Sequence, residues 1–476
     1  MSPHRTIVSN FLALFTGELF ARVLGVFATV FLARTLGVEG FGKINFAMVV
    51  VVYFSMITTW GYDTYAIREV SKQHSILPGY LSNIQLMRFT IGAVIYALFF
   101  LFVSQLEIPQ STRMLLYIFG LSVFTQPLNI AWTFAAMENM KATATSTVVN
   151  QAVFLFIVLL FVRGIDEINT VAWAYVAGEF VALIATVVIF LRYVGRVPFE
   201  FSWQKCKEIF KNSMPFGVSR VLRIFTLSTS IVVIGFLASE TDVGIYSAAH
   251  RVVFLLVTLS MYYHLSLYPT LSKAYQDHDT GRLSGILTTA VRLATVLALP
   301  MGIGGLLLSK PIILFIFGAD YQASHAIFSI LVWMAALLLL SGIFSYALLV
   351  LGAQKTVARI IVIAFLANIA LNILLVSRYG IRGAAITAVL TELGILVISA
   401  YKVRSLGVNV SLVSSIPKAL VASIVMTLVL YALADMHLIF LLIIGCVSYF
   451  LTMLLIKGIT SAEINNMIAI FQKHPD

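Results

Sequence analysis

Ionisable side chains are scarce in this sequence. Asp, Glu, Lys and Arg make up 11% of its 476 residues, hydrophobic residues 60%, and the mean hydropathy is +0.99. A soluble domain is about a quarter charged, and no soluble core buries so much apolar side chain, so an all-α integral membrane protein is expected. Cysteine is nearly absent: Cys206 lies in a basic connection and Cys446 in an apolar run, which leaves neither a disulfide framework nor a thiolate metal site. The eight histidines lack metal spacing, and no P-loop, no G-x-S-x-G and no long outer loop occurs. Strand-like alternation is missing, which argues against a barrel. No A-x-A-like site follows the first apolar run, so that run is expected to be retained as a helix. We expect no metal and no cofactor. The net charge of +11 reflects a bias in the loops, described next, and implies no nucleic-acid partner.

What is abundant is apolar length. Segments of the ~20 residues needed to span a bilayer recur fourteen times, at 8–33, 44–66, 81–104, 114–137, 144–163, 171–193, 212–238, 244–269, 286–309, 325–351, 357–377, 382–402, 416–434 and 437–457. With the N-terminus inside, most of the 31 Lys and Arg fall in cytoplasmic segments, with five in 192–211 alone. The positive-inside rule then puts both termini in the cytoplasm of a multi-pass inner (plasma) membrane protein.

Six cations remain within the spans, and all are arginine: Arg22, Arg88, Arg220, Arg223, Arg251 and Arg292. The acids there are fewer: Glu18, Asp63, Glu179 and Glu392. Charge in lipid costs at least a few kcal/mol per residue and usually faces a bundle interior or a wet cavity. Glu18 and Arg22 share a helix face at i,i+4, and Asp63 has Arg68 nearby to cap or pair with. Either pair could be a structural tie. For the set as a whole, surplus guanidinium suits an anion, because its planar fork matches phosphate oxygens. Glu179 and Glu392 suit either a coupling H+ or Na+, or helix packing through a hydrogen-bonded carboxyl. Pro127, Pro215 and the stretch Pro300-Met-Gly-Ile-Gly-Gly305 are expected to interrupt their spans. Asp277-His-Asp279 has the look of a metal motif but is expected to be a solvated loop.

The chain also repeats itself. Gly42 aligns with Gly244, Ala47 with Ala249, Arg88 with Arg292, Lys141 with Lys355 and Glu179 with Glu392, in order and with an offset that drifts as loop insertions would make it. A six-helix unit inserts the same way round twice, which places the substrate path between the halves. The layout expected is a six-helix lobe over 1–195, a basic cytoplasmic linker over 196–211, a second six-helix lobe over 212–405, and two extra helices with a short tail over 406–476.

Several stretches resemble polysaccharide repeat-unit (O-antigen type) flippases of the multidrug/oligosaccharidyl-lipid/polysaccharide exporter superfamily. They are Leu32-Ala-Arg-Thr-Leu-Gly-Val-Glu-Gly-Phe-Gly42, Gly61-Tyr-Asp-Thr-Tyr-Ala-Ile-Arg-Glu-Val70, Trp132-Thr-Phe-Ala-Ala-Met-Glu-Asn-Met-Lys141, Leu351-Gly-Ala-Gln-Lys355, Asn368-Ile-Ala-Leu-Asn372 and Tyr379-Gly-Ile-Arg-Gly-Ala-Ala385, with Glu392. The likeness spans residues 10–400. It implies two six-helix lobes around a central cavity, and movement of an isoprenoid-pyrophosphate-linked oligosaccharide to the outer leaflet. Beyond that glycan and the bilayer, other polysaccharide-assembly membrane proteins are partners to consider. Ser377 stands where the family often has proline, which puts the corner between helices eleven and twelve in doubt. The two extra helices resemble those of peptidoglycan-precursor flippases and some teichuronic-type exporters, which leaves the substrate class open.

The function expected is therefore a flippase, not an enzyme. Two rivals stay open: a multidrug or cation antiporter of the same fold, and a membrane glycosyltransferase, polymerase or ligase acting on the same lipid-linked sugar. The antiporter would prefer an acidic cavity, and the enzyme a sizeable outer loop.

Overall fold

The computed structural model describes residues 3–277, 279–410 and 416–458, and of residues 3–15, 219 and 223 the backbone alone. The described elements are all helical. In chain order they are α1 (Pro3–Thr59), α2 (Tyr62–Val70), α3 (Leu77–Gln105), α4 (Gln110–Gly120), α5 (Ser122–Leu128), α6 (Ala131–Ala136), α7 (Met140–Phe161) and α8 (Ile168–Tyr193). Then come α9 (Trp203–Leu237), α10 (Glu240–Gln276), α11 (Thr280–Leu307), α12 (Ser309–Phe317), α13 (Ser324–Val350), α14 (Gln354–Ser405), α15 (Ile416–Ala432) and α16 (Leu438–Leu455). In lipid every backbone N–H and C=O must be satisfied internally, and a helix does this within one segment. Where helices emerge, side chains take over: Asn139, Ser202 and Asp279 cap α7, α9 and α11.

Among the described residues, ten helical stretches are long and apolar enough to cross a membrane. Two of these are double. Thr16–Val70 has 55 residues and Gln354–Ser405 has 52. At 1.5 Å per residue each would reach roughly 80 Å, against a hydrocarbon layer of about 30 Å. Each turns at a glycine in the left-handed region, Gly37 (φ 67°) and Gly380 (φ 57°), and the first breaks again at Trp60 (φ 41°) before α2. With α9 and the shorter α15, the fourteen expected spans are accounted for. The loop expected over 34–43 is in fact helix on both sides of Gly37. Likewise the chain stays helical through Ser377, whose hydroxyl donates back to the Ile373 carbonyl, and turns at Gly380.

The prolines behave unequally. Pro127 sits in the last turn of α5, which stops at Leu128, whereas α9 and α11 continue through Pro215 and Pro300. Pro300 does not interrupt its span, whereas α9 runs on past Pro215 and then bends by 42° between Leu222 and Ile224.

The chain forms two compact units, Met1–Gly244 and Ile245–Asp476. In the first, α1 lies along α7 and also packs on α4, α5 and α9; α7 packs on α8, α3 on α5, and α2 on α6 and α9. Tyr62, Tyr65, Tyr80, Trp132, Phe134 and Phe190 form a core at one end, and Ile209 of α9 lodges in it. The start of α10 meets α1 through glycine. A methyl on Gly42 would lie 1.8 Å from the Glu240 carbonyl, and one on Gly244 2.0 Å from the Val38 carbonyl. The two glycines that align in the sequence repeat are thus the two that let these backbones meet.

In the second unit, α11, α13 and α14 share a core that includes Leu287, Ala294, Ile343, Phe344 and Ala347. The last two helices pair and dock on α11, with Ala419, Ala422 and Met426 clustered about Val296. The buried Tyr449 hydroxyl donates to the Val296 carbonyl at 2.7 Å. Small residues that allow close approach, plus an interhelical hydrogen bond, are what hold helices together in lipid, where apolar burial drives little.

Candidate functional site: charged and polar groups inside the spans

The helix break at Pro127 prepares the first polar cluster. Proline has no N–H, and where α5 stops at Leu128 the last carbonyls have no helical partner. The Pro127 carbonyl accepts from Arg88 Nη1 at 3.1 Å. Arg88 Nη2 donates to Asp63 Oδ1 at 2.6 Å, and the guanidinium carbon lies 5.8 Å from the centroid of the Tyr62 ring. Arg88 thereby ties α2, α3 and α5 together. Its side chain is 1% exposed, against 32% for Asp63. Arg88 Nε has no hydrogen-bond partner. The pairing of Asp63 with Arg68 considered from sequence does not form: Arg68 binds Glu69 at 2.7 Å, on the other side of the helix from Asp63.

The second cluster surrounds Glu179 on α8. Its carboxylate is buried and accepts from the Thr125 hydroxyl and from Gln126 Nε2 at 2.8 Å, both on α5; Gln126 also lies 3.1 Å from the Tyr175 hydroxyl. The second unit builds the same contact: half-buried Glu392 on α14 accepts from the Ser341 hydroxyl of α13. So the repeat preserves an interaction as well as a residue. In each unit a hydroxyl on one span faces a carboxylate on another. Hydroxyl and amide donors aimed at its oxygens give a carboxyl inside a helix bundle the hydrogen bonds that water would otherwise supply.

One member of this set escapes the charge inventory. At an offset of 201, one residue short of the 202 between Gly42 and Gly244, His264 takes the place that Asp63 holds in the first half. It is buried, and its Nε2 lies 2.9 Å from the Leu339 carbonyl of α13. Gly342 makes the room, since a methyl there would sit 2.0 Å from the imidazole. Both units therefore fix a carbonyl in this region, through Arg88 in one and an imidazole in the other. The signal that could have found His264 was its register in the repeat.

The remaining expected site residues are placed as follows. Arg22, Arg220 and Arg251 are exposed, Glu18 and Arg292 are half-buried, and the Arg223 side chain lies outside the described residues. A groove of about 430 Å³ in the first unit is lined by Gln85, Leu128, Ile130, Leu183, Ile184, Val187 and Val188. One amide and six aliphatic side chains suit no anion. The Asp277-His-Asp279 stretch works locally: Asp279 accepts from the Arg282 N–H at 2.7 Å and Asp277 pairs with the Arg282 guanidinium at 3.2 Å, while His278 lies outside the described residues.

Residues 7–275 match the profile of a family described as polysaccharide biosynthesis protein, and residues 215–374 that of MatE. A putative O-antigen transporter of Escherichia coli (strain K12) is 24% identical over 375 residues, covering 76% of this chain and 88% of that protein. The succinoglycan biosynthesis transport protein ExoT of Rhizobium meliloti (strain 1021) is 26% identical over 311 residues, 63% of this chain and 60% of its own length. Among solved structures, the lipid II flippase MurJ in an inward closed conformation superposes with a TM-score of 0.77 at 16% identity, over 93% of this chain and 98% of that one. At that identity the likeness is one of fold.

Proposed function

The chain belongs to the polysaccharide biosynthesis protein family, and from that premise we propose that it is a flippase for an isoprenoid-pyrophosphate-linked oligosaccharide. The direction of movement is from the cytoplasmic to the outer leaflet of the inner membrane, by alternating access of the two six-helix repeats, with both termini cytoplasmic. Relatives named as transporters and flippases support transport rather than catalysis.

The observation that carries the reading is the balance of charge inside the spans. Three of the four acids are already engaged by donors: Asp63 by Arg88, Glu179 by Thr125 and Gln126, Glu392 by Ser341. By count, six arginines stand within the spans against these four acids. With Arg88 buried against Asp63, the residues to receive the pyrophosphate are Arg22, Arg220, Arg223, Arg251 and Arg292, with Glu18 orienting Arg22. The sugar occupies the hydrated interior and the isoprenoid stays in lipid. A dianionic headgroup moving outward responds to the membrane potential, and Glu179 or Glu392 is the place for an H+ or Na+ antiport. Other polysaccharide-assembly membrane proteins hand over and receive the glycan.

The test is leaflet-resolved counting of lipid-linked repeat units in a deletion strain complemented with wild type or Arg220→Ala/Arg223→Ala. Trapping of precursor on the cytoplasmic side, relieved by wild type alone, is the expected result. Full-length surface glycan without the gene would refute the proposal. The MatE match over 215–374 favours one alternative, a cation antiporter. That protein would gain affinity for a cationic drug when these arginines become acids, whereas a flippase would lose transport.

A further inference from the structure

Between α8 and α9 the chain is pinned, and not slack as a linker would be. The buried side chain of Asn83 on α3 donates to the Glu200 carbonyl at 2.8 Å and accepts from the Ser202 N–H at 2.9 Å and the Cys206 thiol at 3.1 Å. The Ser82 hydroxyl accepts from the Glu200 N–H at 3.1 Å. In an extended segment alternate side chains share a side, so Phe199 and Phe201 project together, and Trp203 follows as the first residue of α9. Phe199 is 71% exposed and Trp203 65%.

The first turns of α9 are two-faced. Cys206, Ile209 and Ser213 are buried, while Trp203, Lys207, Phe210, Lys211 and Met214 are exposed. Lys207 Nζ lies 5.7 Å from the Trp203 ring centroid, and Lys205 is turned inward, 5.4 Å from that of Tyr80. Even with its 42° bend between Leu222 and Ile224, the 35-residue α9 reaches roughly 48 Å end to end, of which about 30 Å suffices to cross the hydrocarbon. Its opening turns are therefore left outside the hydrocarbon. Over 192–211, five cations stand against two acids, Glu200 and Glu208.

We propose that the exposed face from Phe199 to Met214 seats anionic phospholipid headgroups of the surrounding bilayer. The aromatic rings enter the acyl boundary, and Lys207 and Lys211 meet the lipid phosphates. Bulky apolar side chains interleaved with lysine are the composition of interfacial segments. The segment joins the ends of two membrane-crossing helices, which puts these charges within a Debye length of the headgroups. The inference rests on the chain spanning a membrane and not on the flippase reading.

The experiment is fluorescence quenching of the full-length protein in nanodiscs by brominated phosphatidylglycerol or brominated phosphatidylcholine. Subtracting the Trp203→Phe signal isolates Trp203. The expected result is quenching by both lipids with phosphatidylglycerol preferred, and a preference that drops about fivefold for each lysine removed in Lys207→Gln and Lys211→Gln. Since both lysines are exposed, these variants keep the fold. An unquenched Trp203 would place this face in water away from the acyl boundary, and equal quenching by the two lipids would remove anionic selection. Preference surviving in Lys207→Gln/Lys211→Gln, or displacement by millimolar inorganic phosphate, would also overturn the proposal. Loss of flipping leaves every one of these readings unchanged, so the two proposals fail separately.

Discussion

Removing Asp63 should destabilise the first unit by stranding Arg88. The guanidinium is 1% exposed, and its partners are Asp63 Oδ1 at 2.6 Å and the Pro127 carbonyl at 3.1 Å, with Nε unpartnered. In Asp63→Ala the charge keeps a carbonyl and the Tyr62 ring but no counter-ion. Breaking one side of a buried pair costs about 3–5 kcal/mol. Asp63 itself is 32% exposed, so screening puts the effect near the lower end, ~3 kcal/mol. For a unit of this size that is a fall in melting temperature of roughly 6–12 °C. A thiol-reactive dye in detergent reads it well, because Cys206 is buried in the same unit and the exposed Cys446 can be replaced by serine beforehand. The decisive comparison is Asp63→Leu/Arg88→Met. Apolar replacement of both partners is often neutral or better, so the double variant should recover most of the loss. A single variant that melts with wild type, or a double no better than the single, would falsify the tie. Transport by the stable double variant would complete the case, while stability without transport would assign Arg88 a direct role on the substrate.

Thr125→Val removes one donor from Glu179 but leaves Gln126 at 2.8 Å; a loss of about 1 kcal/mol is expected in the same melt, and none if the Glu179 side chain is already replaced by leucine. Gly42→Val should greatly lower the yield of folded protein in size-exclusion chromatography, since the new Cβ would meet the Glu240 carbonyl at 1.8 Å; Gly285→Ala, which meets nothing within 4 Å, should be neutral or stabilising by about 0.5 kcal/mol. Tyr449→Phe deletes the 2.7 Å bond to Val296 and should cost about 1 kcal/mol. Limited proteolysis should then detach α15 and α16 more readily, and unchanged cleavage would show that the apolar seam alone holds them.

Apolar length, counted residue by residue, determined the class of this protein and its fourteen spans, because the bilayer imposes one thickness on every crossing helix. The repeat was legible for the same reason that Gly42, Gly244, Glu179 and Glu392 could be aligned: each keeps its place on its helix, and a shift of one residue would turn it to another face. What the sequence left undecided was pairing. It offered Arg68 as the partner of Asp63, five residues away in the chain, and the structure chose Arg88, 25 residues away on a neighbouring helix. It grouped Arg88 with the other arginines of the spans, and only the structure shows that side chain buried between Asp63 of α2 and the Pro127 carbonyl of α5. It passed over Thr125, Ser341 and His264, whose importance comes only from the carboxylate or carbonyl they face. Hydropathy and spacing are properties of one helix at a time. Which side chains meet across helices depends on rotation and depth, and these are set by small residues such as Gly42 and Gly342 that let one particular neighbour come close.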